Sequence, residues 1–162
     1  MNKMVIETLV RFNFWANDRV LVACKKLSQE ALTRAVTPDP GWGSLRGVLV
    51  HNLDTEFGWR TVLQPGVEDI ILEESDFADV AALKTRWEEE KAAWLDFVDG
   101  LTEEDLENHI SEDGPKVWQT ILHVITHGIQ HRAEAAMVLT GYGFSPGELD
   151  FAVFIQDRSD KV

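Results

Sequence analysis

Lys116-Val117-Trp118-Gln119-Thr120-Ile121-Leu122-His123-Val124-Ile125-Thr126-His127-Gly128-Ile129-Gln130-His131-Arg132-Ala133-Glu134-Ala135-Ala136-Met137-Val138-Leu139-Thr140 is the longest uninterrupted helical pattern in the chain. Gly141 follows it as a residue suited to C′, just past a helix end. On a helical wheel Ile121, Leu122, Ile125, Ile129, Ala133 and Ala136 gather on one side. His123, His127 and His131 lie on the other, beside Gln130 and Glu134. Val124, Ala135 and Val138 border the histidine row, so that face is not uniformly polar. A partly open cleft accounts for both observations.

Outward from this helix the same period recurs. Across residues 4–28, Ile6, Leu9, Val10, Phe14, Val20, Leu21, Cys24 and Leu27 stand three and four apart, as an amphipathic helix requires. Asn13 and Asn17 fall on that apolar stripe, where an amide needs hydrogen-bond partners. Thr37-Pro38-Asp39-Pro40-Gly41 is a turn cluster, and Ser44 is placed to cap a second helix reaching Leu63, where Gln64-Pro65-Gly66 stops it. An acidic connection runs from Val67 to Asp76. A third helix spans Asp79 to Asp99 on the stripe Val80, Leu83, Trp87, Trp94, Val98 and Leu101. Glu88-Glu89-Glu90 at its centre reads as a solvated outer turn. Residues 102–116 are polar and break at Asp113-Gly114-Pro115. Tyr142 to Gly147 is a loop, and Leu149, Phe151, Val153, Phe154 and Ile155 predict a short final helix.

Nothing alternates at period two for long enough to demand a sheet. The fold class is therefore all-α, an antiparallel bundle of four long helices with a short fifth C-terminal one. At 162 residues, with no repeat or interdomain linker, residues 1–162 are expected to form one domain.

Composition narrows the function. The net charge is −13 and the basic residues are scattered, so no basic patch exists for nucleic acid or an anionic membrane surface. No apolar run reaches the ~18 residues of a membrane span. Met1 to Glu7 turns amphipathic at once, without the apolar core of a secretion signal. A single cysteine, Cys24, excludes a disulfide framework, and a cytoplasmic location is expected. Cys24 sits on a core stripe and reads as packing rather than as a nucleophile.

The chemistry lies in the histidines. Of five, His123, His127 and His131 are spaced i, i+4, i+8 on one helix. Each step of four advances about 6 Å along the axis. Neighbours can share an ion at metal–nitrogen distances of about 2.0–2.1 Å, whereas the outer two, about 12 Å apart, cannot. The helix thus supplies at most a pair, either His123/His127 or His127/His131. A catalytic ion commonly has three protein ligands and an open position. His51, mid-helix on an apolar segment, is the natural third; His109, among Glu107, Asn108 and Glu112, reads as an exposed loop residue.

Two metal motifs are excluded. His127-Gly128-Ile129-Gln130-His131 has the spacing of zinc proteases, but Gly128 stands where their glutamate base belongs. The di-iron bundle pattern needs Glu-x-x-His, and no histidine here follows a glutamate at that distance.

Taken in order, the motifs resemble the DinB-like superfamily of damage-inducible helix-bundle proteins, over nearly the whole chain. Phe12-Asn13-Phe14-Trp15-Ala16-Asn17 is similar to its first-helix motif. Gly43-Ser44-Leu45 with His51, Glu56 and Trp59 is similar to its second helix. Trp118 to Arg132 is the most specific match, and Asp150 and Phe154 fit the final helix. The resemblance implies an up-down four-helix bundle with a fifth helix, often dimeric. It implies a site of His51, His127 and His131 holding Zn or Ni with water, which selects His131 over His123. Relatives commonly continue His-Arg-Gly-Gln, whereas Ala133 and Glu134 follow Arg132 here.

Some members of the superfamily are thiol-dependent transferases or isomerases. The implied function is accordingly a metal-dependent enzyme, a thiol S-transferase acting on a small electrophile, with a non-enzymatic metal or small-ligand binding bundle as the rival. Glu134, Glu56, Asp54, His123 and Asn13 are the candidates for orienting a ligand or moving a proton near the ion.

Overall fold

The computed structural model describes residues 1–68 and 70–159. Its regular structure there is entirely helical: α1 (Lys3–Cys24), α2 (Gln29–Thr33), α3 (Leu45–Leu63), α4 (Val80–Gly100), α5 (Glu103–Glu107), α6 (Val117–Gly141) and α7 (Phe151–Ser159), with a 3-10 turn at Glu74–Asp76. No strand forms among the described residues; two isolated bridges, Ala35 with Ser44 and His109 with Lys116, close loops.

The helix starts follow from their caps. Ser44 accepts from Gly47 N, Asp79 from Ala82 N and Thr102 from Asp105 N, each satisfying a backbone donor that the first turn leaves free. The ends depart from expectation by a few residues. α1 stops at Cys24 rather than near residue 28, because Ser28 caps the separate turn α2. α6 includes Gly141; the left-handed glycine after it is Gly143, at φ 83°, which lets Phe144 N reach back to Leu139 O at 2.9 Å. The polar stretch at 102–116 contains α5, which buries Leu106.

α1 packs on α4 and α6, and α3 packs on the same two helices. One apolar core runs between them: Ile6, Val10, Phe14 and Leu21 from α1, Val48 and Leu53 from α3, Leu83, Trp87 and Trp94 from α4, Ile121, Val124 and Leu139 from α6. A smaller cluster of Phe12, Ala16 and Phe154 docks α7 against α1, and Trp15 Nε1 donates to Asp157 Oδ2 at 3.2 Å. Cys24 is buried in the main core, and burial pushes its thiol up to about 12, so it stays protonated.

The buried face of α6 is rotated from the wheel reading. It runs through Ile121, Val124, Ile125, Gly128, His131, Arg132, Ala135 and Leu139, while Ile129, Ala133 and Met137 face outward. This rotation carries the histidine row to the edge of the core. The glutamate run on α4 also needs correction. Glu88 and Glu89 are exposed, but Glu90 is fully buried, its Oε2 accepting from Arg60 Nη2 of α3 at 2.9 Å and from Arg86 Nη1 at 3.2 Å. A buried carboxylate survives only with such partners.

Candidate metal centre

His51 stands two turns into α3 and His127 and His131 one turn apart on α6, and the packing of α3 on α6 brings the three rings together. His127 Nε2 lies 3.1 Å from His51 Nε2 and 3.1 Å from His131 Nε2. Three ligand atoms all fall within 4.8 Å of one another. Two nitrogens bound to one ion at about 2.0–2.1 Å in a tetrahedral shell stand about 3.3–3.4 Å apart, so the two 3.1 Å separations suit a shared ion.

The proton inventory points the same way. His131 Nδ1 is 2.6 Å from Glu134 Oε2, so an Nδ1–H can donate to that carboxylate while Nε2 is the nitrogen turned to His127. Burial first, and then the neighbouring His131, hold the His51 imidazolium below its usual 6.5. Burial, followed by His131, His51 and His123, pushes His127 down to about 4. Both rings are therefore neutral at physiological pH. A proton on His127 Nε2 can serve only one of its two 3.1 Å contacts. A proton on Nδ1 instead has no acceptor, since that atom is buried and unpartnered. A cation at the convergence point serves both Nε2 contacts at once, so the donor set fits a divalent metal.

His51 and His127 are half-buried and His131 is buried, so the cluster opens toward solvent on one side. Trp42, from the loop before α3, lies flat on His51 with ring centroids 3.4 Å apart and 12° between planes. It meets His131 edge-on at 6.0 Å.

A model described as the DinB family matches residues 1–160. The chain belongs to the DinB family. No curated protein matches it. Within this family member, the ring that the resemblance selected over His123 is the one that converges: His123 is exposed, edge-on to Trp59 at 5.3 Å, and 5.9 Å from the His127 ring. His109 is exposed too, its Nδ1 2.6 Å from Gly114 O in the loop before α6.

The other candidates are placed as follows. Glu134 touches the cluster through His131 alone among the three rings. Asp54 accepts from Leu72 N at 2.8 Å and pins the acidic connection onto α3. Glu56 and Asn13 belong to a buried network in the core. Glu56 Oε1 accepts from Asn13 Nδ2 at 2.7 Å and Asn17 Nδ2 at 2.9 Å, and Oε2 accepts from Trp87 Nε1 at 2.6 Å. Arg132 Nη1 donates to Asn13 Oδ1 at 2.6 Å and Asn17 Oδ1 at 2.9 Å. The two polar residues on the α1 stripe are thus paired amides that tie α1 to α3 and α6, and Arg132 brings the network to the residue next to His131. Trp42 went unread in the sequence, although a tryptophan between two glycines ahead of a cap is a signal of a shaped loop.

Among the described residues, no helix is long and apolar enough to cross a membrane.

Proposed function

We propose that this DinB-family chain binds one divalent ion, Zn or Ni, through His51, His127 and His131, and uses it as a metal-dependent enzyme, a thiol S-transferase acting on a small electrophile. The observation that carries the metal reading is the convergence of one ligand nitrogen from each of three imidazoles within 4.8 Å, with Glu134 Oε2 2.6 Å from Nδ1 of the most buried one. A carboxylate behind a metal-ligating histidine fixes the tautomer and raises the ligand's basicity.

An ion held by three neutral ligands keeps most of its charge and supplies the acidity that deprotonates a water or thiol near neutral pH. The chain's own part is to hold His131 in one tautomer through Glu134, to keep His51 and His127 unprotonated by partial burial, and to leave one side open to a small reactant. Glu134, the carboxylate hydrogen-bonded to one of the three rings, is our candidate for holding a proton released there. The same proposal includes an up-down arrangement of the four long helices as one domain, a cytoplasmic location and a homodimer.

Elemental analysis of protein purified without a histidine tag tests the metal reading: one Zn or Ni per chain is expected, and a metal content no higher than that of His127→Ala would sink it. For metal-loaded protein, a panel of low-molecular-weight thiols with small electrophiles tests the transferase. Turnover that vanishes on chelation supports it, and silence across the panel leaves a metal-binding bundle without this activity.

A further inference from the structure

The three histidines are restrained unequally. The terminal torsion of a histidine side chain is broad, so a ligand ring needs something to fix its orientation. His131 has Glu134. His127 has its Nε2 3.1 Å from the Nε2 atoms of both other rings. His51 has no hydrogen bond at Nδ1 among the described residues; apart from the two other histidines, the aromatic ring packed on it is the indole of Trp42.

That indole is delivered by a loop with several independent ties. Asp39 Oδ1 accepts from the backbone N–H groups of Gly41 at 2.8 Å, Trp42 at 3.0 Å and Gly43 at 2.9 Å. Gly41 and Gly43 have φ of 106° and 69°, so the backbone on both sides of Trp42 takes a conformation that side-chain-bearing residues rarely adopt. The Trp42 carbonyl accepts from Ser44 N at 2.7 Å and presses so closely on Gly47 that a Cβ there would collide with it. Val36 N donates to Gly43 O at 3.0 Å and closes the loop. Meanwhile Trp42 is 38% exposed, its Nε1 has no hydrogen-bond partner among the described residues, and both aromatic rings it pairs with belong to the histidine cluster. Core packing does not account for a side chain placed this way.

We propose that Trp42 is the positioning residue for His51: the loop fastened by Asp39 clamps the indole on the imidazole and aims its Nε2 at the other two ligands. For His51 the flat face of Trp42 takes the place that a carboxylate takes for His131. The inference rests on the metal reading above.

The test uses the full chain without a histidine tag, comparing wild type with Trp42→Ala, Trp42→Phe and Asp39→Ala. Zn²⁺ affinity is read by competition with a chromophoric chelator, and the His51 ring protons are read by NMR in metal-free protein, where a stacked indole shifts them upfield. Trp42→Ala is expected to weaken Zn²⁺ binding by roughly tenfold or more, the scale on which lost orienting partners act, and to abolish the upfield shift. Trp42→Phe is expected to restore most of both, and Asp39→Ala, which unties the loop but keeps the indole, to weaken binding in the same direction. If Trp42→Ala loses its helical circular dichroism, Asp39→Ala and Trp42→Phe carry the test. Wild-type affinity in Trp42→Ala, or in Asp39→Ala when that variant stands alone, overturns the inference while leaving the metal reading intact. A wild type that takes up no Zn²⁺ or Ni²⁺ overturns both.

Discussion

Glu134 and His131, three residues apart on α6, are joined by a 2.6 Å contact from imidazole Nδ1 to carboxylate Oε2. The pair leaves Nε2 as the nitrogen of His131 that faces His127, at 3.1 Å. Glu134→Ala removes the orienting acceptor and is expected to weaken metal binding about 10–100-fold. Glu134→Gln keeps an oxygen that can accept from Nδ1 but loses the charge, so a smaller loss is expected. Chelator competition on the three proteins checks the order; equal affinities would remove Glu134 from the site.

Stoichiometry separates the histidines. His127 lies 3.1 Å from both other Nε2 atoms, so His127→Ala breaks the cluster at its centre and is expected to take the metal content to background. His51→Ala and His131→Ala each leave two ligands and a weak site. His123→Ala and His109→Ala remove exposed rings outside the cluster and are expected to retain one ion per chain. Elemental analysis of the five variants reads this directly, and loss of metal in His123→Ala would reassign the site.

Local signals carried much of this into the sequence. Ser44 and Asp79 announce helix starts because a side-chain oxygen followed by an apolar period has a mechanical reason to cap. Spacing limits the α6 row to a pair because an ion is smaller than two helical turns. What stayed hidden depends on partners distant in sequence. Glu90 looks like its exposed neighbours until Arg60, thirty residues earlier, is packed beside it. The outward turn of Ile129, Ala133 and Met137 reflects Arg132 entering the core to reach Asn13 and Asn17 of α1, which no wheel of α6 contains. The glycines around Trp42 signal a shaped loop, but the partner of its indole is hidden for the same reason: it depends on where α3 places His51.

Two mid-helix glycines make opposite predictions. A Cβ at Gly128 would stand 2.5 Å from Arg132 Nη1 and 2.7 Å from Asn13 Oδ1, inside a buried hydrogen-bonded pair. Gly128→Ala is therefore expected to destabilise the fold by about 1–3 kcal/mol, as overpacking does. At Gly58 of α3 a Cβ meets nothing within 4 Å. Gly58→Ala is expected to stabilise by up to about 1 kcal/mol through helix propensity. Urea unfolding of both variants checks the signs, and a neutral Gly128→Ala would show that Arg132 has room to retreat.

Glu56 offers a pH-dependent test of the buried network. It is fully buried, and burial pushes its carboxyl above the ordinary 4.5 against the pull of Asn17, Asn13, Arg132 and Trp87. Glu56→Ala leaves the Asn13, Asn17 and Trp87 N–H groups without this acceptor and the buried Arg132 guanidinium without its neighbouring carboxyl, and is expected to cost about 3–5 kcal/mol. In Glu56→Gln the amide oxygen can still accept from both asparagines, while the amide nitrogen meets another donor in Trp87, so a smaller cost is expected. The folded chain holds the Glu56 proton to higher pH than the unfolded chain does. Stability from this group is thus complete below 4.5 and declines as pH rises through the raised folded value. Glutamine does not titrate, so the cost of Glu56→Gln relative to wild type is expected to shrink between about pH 5 and about pH 8. Urea unfolding of the two proteins at both pH values measures that difference with the other titrating groups cancelled. A cost that grows with pH would mean that Arg132 and the three donors outweigh burial and that the carboxylate is ionised throughout.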